Sequence, residues 1–214
     1  MFLTHTTSDE SQTPHIELLA DGVYLLHQAA DSAALQLDVA AVAGQAPFRH
    51  MQVKGGKAMS AAMTNCGALG WTSSPQGYSY SALDPLSSLP WPALPSSFAL
   101  LAQRCAAAAG FNGFQPDACL INRYDGSAHM GLHQDRDERD LSQPIVSVTL
   151  GASAVFLLGG LQRQGTVQSL LLTDGDVLVW GGAARLRFHG VRAPQANASG
   201  QAPLRINLTL RKAG

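Results

Sequence analysis

Charge is scarce in this sequence, and neither sign prevails. Of 214 residues, 14% are Asp, Glu, Lys or Arg, against about 25% in an average globular chain, and 14 Lys and Arg stand against 15 Asp and Glu. A chain without a basic surplus cannot coat duplex DNA by displacing counterions, so any contact with nucleic acid has to be local. Cysteine is nearly absent too. Cys66, Cys105 and Cys119 are odd in number and form no C-x-x-C pair, which speaks against a disulfide framework and a thiolate zinc site and leaves them as small buried residues. Long apolar runs are missing: residues 150–161 carry three glycines and fall short of the ~20 residues of a membrane span. The N-terminus turns polar from Thr4 to Pro14 with no basic start and no apolar core, so no secretory signal is expected. These absences describe a soluble, cytoplasmic protein, expected to be a monomer with no membrane partner.

What is present is a globular composition, 46% hydrophobic, and a length that favours one domain at roughly 150 residues per domain. The expected organisation is a flexible segment over residues 1–15 followed by a single domain over 16–214. Two apolar runs around Asp21-Gly22 read as a hairpin. Asp31 or Ser32 can cap a helix carrying Leu35, Val39 and Val42, closed by Gly44 and Pro47, and a second helix runs from Ser96 or Ser97 to Ala109. Between them, residues 55–95 are too broken for long helices and too uneven for regular strands, and read as hairpins and loops carrying Met59, Met63, Trp71, Tyr78 and Tyr80. Such loops often carry function. From residue 117 short β-type runs follow (118–124, 145–150, 154–158, 169–172, 177–180, 204–210), the pattern of an antiparallel sandwich or jelly roll. The fold class is therefore mainly β with flanking helices, α+β.

His133-Gln134-Asp135 places two metal-type ligands two apart, which in an extended segment aims both to one face. With His189, 56 residues on, they would make the two-His, one-carboxylate facial triad of non-haem Fe(II) oxygenases. On its own the pair also reads as an exposed His beside solvated carboxylates. The run Leu204-Arg-Ile-Asn-Leu-Thr-Leu-Arg211 strengthens the first reading. Its even positions are aliphatic, so Arg205, Asn207, Thr209 and Arg211 share the other face. That face suits either solvent or a ligand with two carboxylates, because Arg binds carboxylate bidentately and never loses its charge. Asn122 and Tyr124 share a strand face and can donate to the same anion. His129 and His133 have helical ligand spacing, but Gly131 and the lack of an adjacent Glu weaken it, and Trp180 reads as a core plug that can also line a pocket.

Together the segments Gln115-Pro-Asp-Ala-Cys-Leu-Ile-Asn-Arg-Tyr124, Leu132-His-Gln-Asp-Arg-Asp-Glu138, Pro144-Ile-Val-Ser-Val-Thr-Leu-Gly151, Gly175-Asp-Val-Leu-Val-Trp-Gly-Gly182 and Arg205-Ile-Asn-Leu-Thr-Leu-Arg211 resemble the AlkB family of Fe(II)/2-oxoglutarate-dependent alkylated-nucleic-acid dioxygenases. Residues 62–67 and 69–72 resemble that family's nucleotide-recognition lid. The resemblance implies a double-stranded β-helix (jelly-roll) core over about 115–213 and a lid with hairpins over about 45–95. It implies that His133, Asp135 and His189 hold Fe(II), and that Asn122, Tyr124, Arg205, Asn207 and Arg211 hold 2-oxoglutarate, with O2 as the other cosubstrate. Trp71 would stack on a flipped base opposite the His133 ring, Asp137 would face its exocyclic amino group, and Met63, Tyr78, Tyr80 and Arg163 would complete the nucleotide site. The implied activity is oxidative demethylation of 1-methyladenine- and 3-methylcytosine-type bases in single- or double-stranded DNA, with RNA left open, releasing formaldehyde, succinate and CO2. The physics agrees: these bases are cationic, so an aromatic sandwich beside a carboxylate favours them, and their damaged pairing edge makes extrusion from the duplex cheaper. Two rivals remain at this level: a 2-oxoglutarate oxygenase acting on a protein or small molecule, and a non-catalytic module that binds damaged bases.

Overall fold

The computed structural model describes residues 14–194 and 203–214; most of the expected N-terminal flexible segment, residues 1–13, lies outside the described residues. The first hairpin pairs β1 (Ile16–Ala20) with β2 (Val23–Leu26), and its turn needs Gly22, whose φ of +73° favours a residue without a Cβ. Helix α1 (Ser32–Gln45) starts where expected, because the Asp31 side chain accepts from the Ala34 amide at 3.1 Å, which satisfies one orphan donor of the first turn. Leu35, Val39 and Val42 form its buried stripe. Helix α2 (Ser96–Ala108) has no side-chain cap. The Ser97 hydroxyl instead donates to Asp38 at 2.5 Å and ties the two helices together.

The remaining strands are β3 (Ala62–Gly67), β4 (Gly70–Ser74), β5 (Gly77–Ser81), β6 (Ala118–Asp125), β7 (Met130–His133), β8 (Ile145–Gly151), β9 (Ala154–Leu158), β10 (Gln168–Leu172), β11 (Val177–Trp180), β12 (His189–Val191) and β13 (Leu204–Arg211). They form a seven-stranded sheet in the order β1-β2-β11-β8-β13-β6-β3, a four-stranded sheet in the order β10-β9-β12-β7, and the β4–β5 hairpin. Every strand pairing is antiparallel. One face of the large sheet packs on both helices through Ile121, Val148, Val177 and Leu208, against Leu35, Val39, Phe98 and Leu101. The opposite face meets the small sheet through Ile145, Leu178 and Trp180, packed with Phe156, Leu158 and Leu172. Two sheets facing across a core with helices on the outside make the jelly roll expected from the strand count. Among the described residues no helix is long and apolar enough to cross a membrane.

The large sheet crosses the bounds expected for the core and the lid. The large sheet draws β1, β2 and β3 from before residue 115, so the β core is not confined to residues 115–213. Within residues 45–95, expected as a lid with hairpins and loops, β3 is a fully buried strand paired to β6. Its polar residues hid it, since Thr64 is buried with its hydroxyl donating to the Ala46 carbonyl at 2.6 Å. The strands β7 and β12 also escaped the β-type runs, being four and three residues long. Gly190 lets them approach, because a Cβ there would lie 2.7 Å from the Met130 carbonyl oxygen.

Candidate active site

The pairing of β7 with β12 sets His133 directly opposite His189, and Asp135 follows two residues after β7. Their ligand atoms all lie within 4.8 Å of one another. His133 Nε2 is 3.6 Å from Asp135 Oδ1 and His189 Nε2 is 3.7 Å from Asp135 Oδ2. Each ring turns Nδ1 toward a backbone carbonyl, that of Gly131 at 2.9 Å for His133 and that of Arg187 at 3.1 Å for His189. A ring nitrogen facing a carbonyl oxygen carries the proton, so both Nε2 lone pairs point inward, as metal ligation requires. Burial, helped by the neighbouring His133, pushes the His189 pKa down to about 4, which keeps this imidazole neutral at physiological pH. Burial acts on Asp135 in the opposite sense, but the Arg211 guanidinium and the two imidazoles outweigh it and hold the carboxyl well below the usual range. Arg211 donates to Asp135 Oδ2 from Nη2 at 2.5 Å and from Nε at 3.1 Å. Two imidazoles that turn Nε2 inward beside an ionised carboxylate are a donor set for a divalent cation.

Beside the triad lies a cavity of about 530 Å³. Strand β13 sits between β8 and β6, so its polar face is turned into the protein rather than to solvent. Arg205, Asn207, Thr209 and Arg211 are all buried and all line the cavity. On β6, Tyr124 stands opposite Arg205 and Asn122 opposite Asn207. The Arg205 guanidinium, 2% exposed, lies 5.2 Å from the Tyr124 ring centroid and donates from Nη2 to the Thr149 hydroxyl at 2.9 Å. Among the described residues its Nε and the Asn122 Oδ1 have no protein partner, although both are buried. An unpaired buried polar atom costs about 1–3 kcal/mol, so these groups fit a polar ligand that completes them. Two buried guanidiniums with Arg205 Nε free suit a dicarboxylate such as a 2-oxo diacid. Asn207 is already engaged, donating to the Ser147 hydroxyl at 2.8 Å and the Val148 carbonyl at 2.9 Å.

The β4–β5 hairpin supplies an aromatic wall. Trp71 stacks on Tyr78 with centroids 5.4 Å apart, and its Nε1 donates to Asp137 Oδ2 at 2.9 Å. The Trp71 backbone is gripped at both polar atoms by the Asn65 side chain, at 3.0 and 2.9 Å. Met63, Asp137 and Arg163 also line the cavity, Arg163 lying over the Phe188 ring at 5.3 Å. Tyr80 does not line it: burial raises its pKa far above the ordinary tyrosine range, and its hydroxyl donates to Glu138 at 2.7 Å. Trp180 fills both roles foreseen for it, buried in the core and set edge-on to His189 at 5.0 Å. His129 is no ligand, since residues 130–133 are extended and its ring faces the Ser127 carbonyl. Asn65, Glu138 and Arg185 were not legible. Glu138 stands in a run of charges that reads as solvent-facing, and nothing local marks the other two.

Residues 22–211 match the family model of the 2OG-Fe(II) oxygenase superfamily. The chain is 54% identical over 207 residues to the alpha-ketoglutarate-dependent dioxygenase AlkB of Escherichia coli (strain K12), covering 94% of each chain. It is 42% identical over 97 residues to the nucleic acid dioxygenase ALKBH1 of Mus musculus, covering 45% of this chain and 25% of that one. Among solved structures, that of OsALKBH1 superposes with a TM-score of 0.81 at 26% identity, covering 92% of this chain and all of the other.

Proposed function

Because the chain belongs to the 2OG-Fe(II) oxygenase superfamily, and within it to the AlkB dioxygenases, we propose that it removes N-alkyl groups from bases of the 1-methyladenine and 3-methylcytosine type in DNA, with RNA a second acceptor. It is a dioxygenase that uses Fe(II), 2-oxoglutarate and O2. On this reading residues 16–214 act as one catalytic domain, and the protein is a cytoplasmic monomer. Three free, buried thiols fit a reducing compartment.

His133, Asp135 and His189 would hold the iron, and Arg205, Arg211, Asn122, Tyr124 and Asn207 the cosubstrate. When bound, the iron and 2-oxoglutarate supply the oxidation of an N-alkyl carbon, with succinate, CO2 and finally formaldehyde as products. The chain's own residues fix the geometry. Each imidazole turns Nδ1 to a backbone carbonyl, which leaves Nε2 facing the other ligand atoms, the orientation a metal needs. Arg205 is buried and cannot follow a ligand out, which fixes the far end of the dicarboxylate. Trp71, backed by Tyr78, presents a flat apolar face to a base that has left its stack, and the Asp137 carboxylate beside it favours a cationic ring. Met63 walls the same space, and Tyr78 and Arg163, which also line it, would contact the nucleotide backbone or base. Tyr80 acts at one remove, by holding the hairpin.

The observation that carries this reading is that the stacked Trp71–Tyr78 pair and Asp137 open onto the same cavity as the triad and both arginines. An oxygenase of small molecules needs the triad and the arginines but not the aromatic wall. The test is to incubate the protein with Fe(II), 2-oxoglutarate and an oligonucleotide carrying one 1-methyladenine, then weigh the strand. Loss of the methyl mass is expected. An unaltered strand alongside continued 2-oxoglutarate consumption would turn the reading toward another substrate class.

A further inference from the structure

One wall of the cavity is built on a chain of buried charges that begins at Arg185, behind the lining, and ends at the Asp135 carboxylate. Glu138 is 7% exposed. Its Oε2 accepts from Arg185 Nη2 at 2.9 Å. Its Oε1 accepts from the Tyr80 hydroxyl at 2.7 Å and lies 3.3 Å from Arg211 Nε. Arg185 is itself buried and spends its other donors on backbone: Nε donates to the Gln143 carbonyl at 2.9 Å and Nη1 to the Asp135 carbonyl at 2.6 Å. Two guanidiniums and two carboxylates therefore alternate in the order Arg185, Glu138, Arg211, Asp135, and the set is neutral as a whole. A buried carboxylate costs free energy unless it is paired and hydrogen-bonded throughout, and Glu138 has its partners only in this arrangement.

We propose that Glu138, held by Arg185, is a positioning residue for the metal and 2-oxo acid end of the cavity. It fixes the edge that Arg211 turns to Asp135. Pulled on its Nε side by Glu138, the Arg211 guanidinium meets Asp135 Oδ2 through Nε and Nη2, and Asp135 Oδ1 is left without a guanidinium donor. Arg185 adds a second restraint by gripping the main-chain carbonyl of Asp135 itself. Without the Glu138 charge, Arg211 has a single carboxylate partner and is free to close over Asp135, in competition with a cation. The inference rests on the reading that this cavity holds a 2-oxo acid beside a metal.

The test is made without oxygen or nucleic acid, so that its outcome is separate from that of the demethylation assay. Mn(II), and then 2-oxoglutarate to the Mn(II)-loaded protein, are titrated by calorimetry into the wild type, Glu138→Gln and Arg185→Lys. Glu138→Gln keeps the size and one acceptor but removes the charge, and a weakening of 2-oxoglutarate binding by roughly tenfold is expected, the scale of one charge-assisted hydrogen bond. Arg185→Lys keeps a charge but gathers its donors on one nitrogen, which cannot span the three acceptors that Arg185 meets from Nε, Nη1 and Nη2, and a smaller loss of the same sign is expected. In turnover, the apparent 2-oxoglutarate requirement rises while that for the methylated oligonucleotide stays within about twofold, a split that general loosening of the fold would not produce. Wild-type affinities for Mn(II) and 2-oxoglutarate in a folded Glu138→Gln protein overturn the proposal. Should that variant not fold, unchanged binding in Arg185→Lys overturns it equally.

Discussion

His133 and His189 each turn a protonated Nδ1 to a backbone carbonyl two residues before them, so the chain that carries each ring also sets its tautomer. This part of the site was legible, because ligands two apart on an extended segment share a face whatever surrounds them. Asp135→Ala removes the only carboxylate of the triad and strips Arg211 of its closest partner; loss of bound metal and of turnover is expected, measured as metal content after dialysis against Fe(II) or Mn(II). A variant that retains stoichiometric metal would remove Asp135 from the ligand set. For Arg205→Lys, an amine replaces a planar fork that already serves Thr149 and has Nε free. The apparent 2-oxoglutarate requirement should rise at least about tenfold, in keeping with one charge-assisted hydrogen bond of about 1.5–3 kcal/mol. Glu138 shows why some residues stay illegible: burial of a charge depends on partners 47, 58 and 73 positions away, and no local pattern encodes them.

Among the elements, β13 was readable from alternation alone, and the structure settles the one question alternation leaves open, namely what its polar face meets. Solvent would have been equally compatible with the sequence; two flanking strands and the cavity make it an interior face. The opposite holds for β3, where Thr64 and Asn65 are buried but satisfied, one by a carbonyl and the other by the Trp71 main chain, so polarity misled. The β4–β5 hairpin depends on that Asn65 grip and on the two bonds from Trp71 and Tyr80 to Asp137 and Glu138. Trp71→Ala should weaken binding of a methylated oligonucleotide by about 1–3 kcal/mol, the scale of one base–aromatic stack, while calorimetric 2-oxoglutarate affinity stays the same. Equal loss of both would make Trp71 a structural residue.

Across the whole molecule the sparse charge is concentrated. Residues 122–140 hold eight of the 29 charged side chains, whereas residues 58–103 hold only Asp84, and the crowded window is the one that folds around the cavity. Binding strength must then come from stacking, hydrogen bonds and a few buried charges, not from a basic surface. The same concentration gives stability a pH dependence. In the metal-free protein His189 takes its proton near pH 4, whereas in the unfolded chain an imidazole takes it near about 6.5. The unfolded state therefore binds more protons between these values, and stability should fall as pH drops from about 6.5 toward 4. Asp135, held below the carboxylate range by its cationic neighbours, contributes stability that is present above the ordinary carboxylate pKa and is lost at still lower pH. Urea midpoints of the metal-free protein from pH 7 to 4.5 check this, and His189→Gln should flatten the slope. The central claim is that one cavity couples the oxidation of a 2-oxo acid to the repair of a base. Its most direct measurement is stoichiometry: with Fe(II), 2-oxoglutarate, O2 and a 1-methyladenine oligonucleotide, succinate and formaldehyde should each form one for one with repaired base. Base repair without succinate, or succinate formed with no formaldehyde while the methylated strand is present, would contradict it.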